Sequence, residues 1–197
     1  MAQVKGECSL VECPLRRTQA APRIPNEIKD RLADAYAEQS RSDFTVYSVH
    51  LQRVEECHRL HFLQMACEKI AKAYRLRDTE SFTEDDLYSH VVFSKFILGF
   101  LKARQLKERF RSRDAKRRHI ERYARGLAAS IERLAPAVDR DRTPENAEYP
   151  WVSGGAVFVP ARHGFAVSRG LAERAGQEFL KLIETAIGDY ETIRLTG

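Results

Sequence analysis

The sequence predicts an all-α fold, a mostly up-and-down bundle of five helices with one small irregular or hairpin-like excursion. After residue 25, apolar side chains recur every three or four positions in five segments, which is the spacing of one helix face. The chain has 10 glycines, 7 prolines and few turn dipeptides, which argues against an all-β fold. Its 43% hydrophobic and 31% charged residues exclude bulk disorder.

The first 25 residues differ from the rest of the chain. They lack helical periodicity and contain three of the prolines, so we expect residues 1–25 to form a weakly ordered N-terminal arm. The remaining residues, 26–197, are enough for one domain, and we expect a single helical bundle there.

Two helices are predicted in the first third of the bundle. Asn26 is a suitable N-cap for the first helix, and the polar pair Ser42-Asp43 is expected to end it. A long second helix with a broad apolar stripe is predicted over about residues 46–76. Residues 78–80 are expected to break it.

A capping-box motif predicts the start of the third helix. Thr83 is followed three positions later by Asp86, where Glu or Gln is more usual. The helix should then carry apolar side chains as far as Leu101. The fourth helix is expected to start at Ser112 or Asp114 and to end at Pro136.

The last quarter of the chain combines turn signals with a final helix. Residues 149–160 contain Gly154-Gly155 between short apolar runs, so a tiny hairpin is the candidate β structure. The fifth helix is predicted over about residues 168–187, with Gly188 at its end.

The positive charge is concentrated in one block, residues 102–125. This block holds 11 Lys or Arg against three acidic residues, a local charge of 11 − 3 = +8, while the whole chain is +5. The remainder is therefore 5 − 8 = −3. Such a block favours phosphates or an acidic partner by simple electrostatics. A solvated helical face rich in arginine is an equally acceptable interpretation.

No metal or cofactor is predicted. The cysteines are Cys8, Cys13, Cys57 and Cys67. A zinc site could be assembled from the first three with His58 and His61, but their spacing matches no standard zinc motif. We therefore expect free thiols. No window approaches about 18 consecutive apolar residues, and the N-terminus lacks a signal-peptide pattern, so we expect a cytoplasmic protein without a membrane partner.

Three features of the sequence together resemble a known superfamily. Residues 65–73 read Met-Ala-Cys-Glu-Lys-Ile-Ala-Lys-Ala, residues 90–96 read His-Val-Val-Phe-Ser-Lys-Phe, and Tyr149-Pro150 precedes the last helix. Over residues 46–187 this pattern resembles the HEPN superfamily of small helical bundles. The resemblance implies four or five helices, a homodimer, and nucleotide or RNA binding. Many members are metal-independent endoribonucleases, including toxin and defence proteins that act beside a cognate protein partner.

The resemblance implies a catalytic pair, Arg113 and His119. HEPN ribonucleases carry an Arg, four to six intervening residues and a His, and here five residues intervene. The His would move a proton at the ribose 2′-hydroxyl or the leaving oxygen, and the Arg would hold the phosphate. The sequence departs from the family at Glu121, where a Tyr is usual, while Tyr123 stands four positions beyond the His.

Helix geometry restricts this pair. Six residues turn an α-helix by about 600°, which leaves the two side chains about 120° apart. Arg113 and His119 therefore meet if Arg113 precedes the helix or if two subunits share the site. A solvated surface residue is the alternative interpretation of His119.

Two functions of different classes follow. The first is a HEPN-like RNA-binding protein that can also be an endoribonuclease. The second is a non-catalytic helical module that binds RNA or an acidic protein through the basic region. The candidate RNA-binding residues are Lys107, Arg109, Lys116, Arg117, Arg118, Arg122 and Tyr123.

Other conspicuous side chains have structural interpretations. We expect His90 to be a partly buried histidine that bonds a neighbouring helix. Trp151 and Phe158 are expected to fill the core, with an exposed base-stacking platform as the alternative. No partner is predicted for His163.

Overall fold

The computed structural model describes residues 24–51, 53–79, 82–109 and 114–195, and these residues confirm the predicted all-α class. The described part contains eight α-helices: α1 (Asn26–Thr45), α2 (Glu56–Asp78), α3 (Glu84–Tyr88), α4 (Phe93–Phe100), α5 (Arg104–Arg109), α6 (Asp114–Glu132), α7 (Ala166–Ala172) and α8 (Arg174–Gly188). The count of five is not confirmed, because several predicted helices are interrupted. Except for its last two residues, the predicted arm lies outside the described residues.

The predicted break at Ser42-Asp43 is wrong, because α1 continues through both residues. Asp43 is buried and accepts a hydrogen bond from Lys69 Nζ on α2. Ser40 is also buried, and its hydroxyl donates to the Ala66 carbonyl oxygen at 2.8 Å. These polar residues therefore attach α1 to α2 instead of ending the helix.

The chain reverses between α1 and α2. One π-helical turn, Val46–His50, prolongs α1, and α2 begins at Glu56, ten residues later than predicted. The end of α2 at Asp78 agrees with the predicted break. At the far end of the pair, Lys29 Nζ donates to the Thr79 carbonyl oxygen at 2.7 Å, so the two helices run antiparallel.

The third predicted helix is divided into α3 and α4. Its start is confirmed, because Thr83 and Asp86 form a complete capping box with a backbone N–H to carboxylate distance of 2.9 Å. However, α3 ends at Tyr88. Lys72 Nζ on α2 donates to the Leu87 carbonyl oxygen at 2.6 Å, which diverts an acceptor that a continuous helix would use.

Aromatic rings fill the centre of the core. Tyr74 on α2 is fully buried, and its ring centroid lies 5.0 Å from Phe96, 5.5 Å from Phe100 and 5.2 Å from Tyr190. Its hydroxyl donates to the Ala186 carbonyl oxygen on α8 at 3.0 Å. This bond satisfies the polar end of a ring that otherwise contributes apolar area.

The C-terminal segment is attached to the end of α2. Arg77 donates to the carbonyl oxygens of Tyr190 and Ile193, the latter at 2.7 Å. Asp78 accepts the Leu195 backbone N–H at 2.8 Å and pairs with Arg77 at 2.7 Å. Burial alone would lower the pKa of Arg77, but the bond to Asp78 raises it above the ordinary value.

Arg140 helps to hold the loop after α6. The helix ends at Glu132, whereas the sequence predicted that it would end four residues later, at Pro136. Arg140 donates to the carbonyl oxygens of Ala135, Pro136 and Pro144. The guanidinium thus replaces the backbone donors that a continued helix would have supplied.

The predicted hairpin is confirmed. Strands β1 (Trp151–Ser153) and β2 (Ala156–Phe158) pair antiparallel, with Trp151 opposite Phe158. Gly154 and Gly155 form the two-residue turn at φ values of +56° and +78°. Positive φ at both turn positions matches the twist of the strands and favours glycine.

The fifth predicted helix is divided at Glu173 into α7 and α8. The start of α8 crosses α7 so closely that a Cβ on Gly176 would lie 2.1 Å from the Gly170 carbonyl oxygen. A straight continuation is incompatible with this contact. Among the described residues, no helix is both long and apolar enough to span a membrane.

Candidate nucleic-acid interface

The orientation of α6 follows from its apolar stripe. Ile120, Ala124, Ala128 and Ile131 are buried at the 4-4-3 spacing of one helix face. The opposite face is exposed, and it carries Arg118, His119, Arg122, Tyr123 and Arg125. Tyr123 belongs to this exposed face, not to the apolar stripe, and 42% of it is accessible.

Three cations share a cleft between α4 and α6. Lys102, Arg122 and Arg125 line it together with Leu98 and Glu121, and the cleft has a volume of about 410 Å³. Among the described residues, none of the three cationic side chains forms a hydrogen bond or ion pair. Arg122 and Arg125 are three residues apart on α6, where like charges disfavour the helix. The cleft therefore holds three cationic side chains against the one carboxylate of Glu121, a net charge of 3 − 1 = +2.

A second cavity lies between α6 and α8. It has a volume of about 420 Å³ and is lined by His119, Ile120, Arg174, Ala175 and Glu178. The His119 ring also contacts Tyr123 edge to face, with centroids 4.9 Å apart. A histidine, an arginine and a carboxylate thus border one cavity on the basic face of α6.

The structure describes only some of the predicted site residues. Arg113 lies outside the described residues, so the Arg113–His119 pair stays a prediction. Arg109, Lys116 and Arg117 lie in α5 and α6, but their side chains are also outside the described part. Lys107, Arg118, His119, Arg122 and Tyr123 are all exposed.

Sequence reasoning missed Lys102, Arg125 and Arg174 as site residues. Lys102 and Arg125 are the ends of the basic block, and the i,i+3 spacing of Arg122 and Arg125 could have indicated a shared face. No sequence signal links Arg174 to His119, because they lie 55 positions apart and meet through helix packing.

A buried polar network joins the two segments that carry the superfamily resemblance. Glu68 accepts hydrogen bonds from Gln64 at 2.9 Å, Lys72 at 2.6 Å and His90 Nδ1 at 2.9 Å. Burial alone would raise the pKa of Glu68, but the bonds from Lys72 and His90 hold it below the ordinary value. The expected inter-helix bond of His90 is therefore confirmed.

The sequence identified no partner for His163, and the structure supplies one. Its Nε2 lies 3.1 Å from a Glu145 carboxylate oxygen, and its ring packs edge to face against Trp151 and Phe165, each at 4.9 Å. Trp151 is buried and stacks on Phe158 with centroids 5.6 Å apart. The core role expected of Trp151 is thus confirmed, and its indole is not an exposed stacking platform.

The histidines considered for a zinc site have acidic neighbours. His58 pairs with Glu55 at 3.8 Å, and His61 lies 3.3 Å from Glu148. Cys57 and Cys67 are buried free thiols, and burial raises the pKa of each. Within the described part of the chain, no group of three or more His, Cys, Asp or Glu could hold a metal ion.

No protein-family model, curated protein or solved structure matches this chain. The HEPN resemblance therefore stays a prediction.

Proposed function

We propose that this protein binds single-stranded RNA through the exposed face of α6 and the adjacent cleft. The observation that carries this proposal is the convergence of Lys102, Arg122 and Arg125 on one cleft without a partner among the described side chains. Cations that are brought together against their mutual repulsion match a ligand with closely spaced negative charges. RNA phosphates have this property, and the planar guanidinium can bind them with two hydrogen bonds.

Aromatic side chains beside the cations favour RNA over an acidic protein. The rings of His119 and Tyr123 are exposed on the same face of α6 and contact each other. Unpaired bases stack on such rings, whereas an acidic protein surface would need only the charges. Within this proposal the chain is a HEPN-like homodimer of toxin or defence type with a cognate protein partner.

RNA cleavage is a second candidate function, supported by the cavity that His119 shares with Arg174 and Glu178. In this proposal one of the two proton-transfer groups, His119 or Glu178, removes the 2′-hydroxyl proton as that oxygen attacks the phosphorus. The other donates a proton to the departing 5′-oxygen, so the products are a 2′,3′-cyclic phosphate and a free 5′-hydroxyl. Arg174 would stabilise the non-bridging oxygens of the phosphate.

The binding proposal is tested by the salt dependence of affinity for a fluorescent single-stranded RNA. The slope of log affinity against log salt should be about −0.7 for each phosphate neutralised. The double variant Arg122→Glu/Arg125→Glu should bind more weakly and show a flatter slope. The matched control Arg31→Glu/Arg41→Glu makes the same charge change on exposed residues of α1 and should bind like the wild type.

Two outcomes would contradict the proposal. If both double variants weaken binding equally, net charge and not the α6 face governs affinity. If the wild type shows no salt-sensitive RNA binding, an acidic protein partner becomes the better explanation of the basic block.

A further inference from the structure

A separate cavity lies where the start of α2 meets α7 and α8. Its volume is about 290 Å³, just below the roughly 300–1,000 Å³ range of drug-sized ligand sites, so it suits a small metabolite. The residues that line it are Tyr47, Glu56, Arg59, Leu60, Ser168, Leu171, Ala172, Gln177 and Leu180. None of these residues belongs to the α6 surface.

Arg59 is the first unusual feature of this cavity. Its side chain is half-buried, its Nε is fully buried without a hydrogen-bond partner, and its guanidinium lies 5.6 Å from the centre of the Tyr47 ring. Among the described residues it forms no ion pair or hydrogen bond. Buried charged groups are normally paired, so this guanidinium is left for an anion from outside the chain.

Glu56 is the second unusual feature. It lies three residues before Arg59 on α2, a spacing that places both side chains on neighbouring parts of one helix face. The two nevertheless form no ion pair, because Glu56 Oε2 accepts the Phe165 backbone N–H at 3.1 Å and the guanidinium packs over Tyr47. The second carboxylate oxygen of Glu56 retains its capacity to accept hydrogen bonds.

The cavity thus contains a fixed cation and a fixed anion that do not neutralise each other directly. Leu60, Leu171 and Leu180 provide an apolar wall beside them. A simple anion such as phosphate would satisfy Arg59 but would be repelled by Glu56. A ligand with a negative group, a positive group and an apolar body would pair with Arg59 and Glu56 and pack against the leucines.

We propose that this cavity binds a free α-amino acid with an apolar side chain. The ligand carboxylate pairs with Arg59, its ammonium group pairs with Glu56, and its side chain packs against the three leucines. This proposal is independent of RNA binding, because it rests on Tyr47 and on residues of α2, α7 and α8, none of which lies on α6.

Titration calorimetry of the full-length chain with L-leucine, L-methionine and L-phenylalanine tests the proposal. At least one of them should bind, whereas its amide, which lacks the carboxylate, and its N-acetyl derivative, which lacks the ammonium group, should bind about tenfold more weakly or worse. Comparable binding of all three forms, or no binding of any free amino acid, would overturn the proposal.

Substitutions of Arg59 and Glu56 test which ligand group each residue binds. Arg59→Gln should abolish binding, and Glu56→Gln, which still accepts the Phe165 N–H, should remove the preference for the free amino acid over its N-acetyl form. The matched control Arg53→Gln removes an exposed arginine outside the cavity and should bind normally. Arg59→Lys keeps the positive charge but lacks the planar guanidinium, so its affinity should be lower than that of the wild type but still measurable. This variant tests the assignment if Arg59→Gln does not fold. Unchanged affinity in Arg59→Lys and Arg59→Gln would refute the assignment.

Discussion

His90 Nδ1 donates a hydrogen bond to a carboxylate oxygen of Glu68, 22 residues earlier, at 2.9 Å. The same carboxylate accepts Lys72 at 2.6 Å, and the side chain of Lys72 is only 5% exposed. One acidic group therefore holds the segment between α3 and α4 against α2.

Glu68→Gln should destabilise the fold by about 3–5 kcal/mol, because it leaves the buried Lys72 ammonium without its charge partner. Urea unfolding measures this change. Glu84→Gln removes an exposed carboxylate at the start of α3 and should change the free energy of unfolding by about 0.5 kcal/mol or less. Equal effects of the two substitutions would show that the network does not stabilise the fold.

The same network predicts an acid-dependent loss of stability. The pKa of Glu68 in the folded protein lies below the ordinary value of 4.5, so the folded state binds fewer protons at this group than the unfolded state. Its contribution is complete above pH 4.5 and is lost as the pH falls through the lowered pKa. The stability of Glu68→Gln should therefore decline less steeply than that of the wild type below pH 4.5, as measured by urea unfolding across that range.

His119→Ala should abolish RNA cleavage but weaken RNA binding by no more than about 1–3 kcal/mol, the contribution of one stacking ring, because the imidazole moves a proton whereas the neighbouring arginines bind phosphate. Gel assays of cleavage and anisotropy of binding separate the two effects. His58→Ala, which removes a largely exposed histidine on α2, is the control and should cleave normally. A wild-type cleavage rate in His119→Ala would show that His119 is not a catalytic residue.

Gly176→Ala should be strongly destabilising, because its Cβ would lie 2.1 Å from the Gly170 carbonyl oxygen and within 2.7 Å of two Leu171 backbone atoms. Gly126→Ala on α6 is the matched control. No atom lies within 4 Å of its added Cβ, so helix propensity alone should stabilise the fold by roughly 0.5–1 kcal/mol. Thermal unfolding should show melting temperatures that move in opposite directions. A shift of the same sign in both would contradict the close packing of α7 on α8.

Arg77→Lys should destabilise the attachment of the C-terminal segment, because one ammonium group cannot reproduce the guanidinium bonds to Tyr190, Ile193 and Asp78. Leaving a partly buried carbonyl oxygen unpaired costs about 1–3 kcal/mol. Hydrogen exchange at the end of the chain and urea unfolding should both detect the change. Arg31→Lys on the exposed face of α1 should change neither measurement. If Arg77→Lys also changes neither, Arg77 does not hold the C-terminal segment.

Local sequence signals determined the helical class, the Thr83–Asp86 capping box and the hairpin at Gly154-Gly155. Each of these depends on residues within a few positions of one another, so periodicity, side-chain capping and permitted φ values suffice to predict them. The outward face of α6 was predicted only as an arginine-rich face, because Ala124 and Ala128, which form half of its buried stripe, are weak hydrophobic signals.

Tertiary packing decided where the predicted helices are interrupted and which side chains meet. The sequence predicted that Asp43 would end a helix, but Lys69 on α2 bonds its carboxylate and α1 continues. The third predicted helix is interrupted where Lys72 donates a hydrogen bond to the Leu87 carbonyl oxygen. The cavities that join His119 to Arg174, and Arg59 to α7 and α8, bring together residues from different elements. Local propensity carries no information about such contacts, because their geometry is set by how whole helices pack against one another.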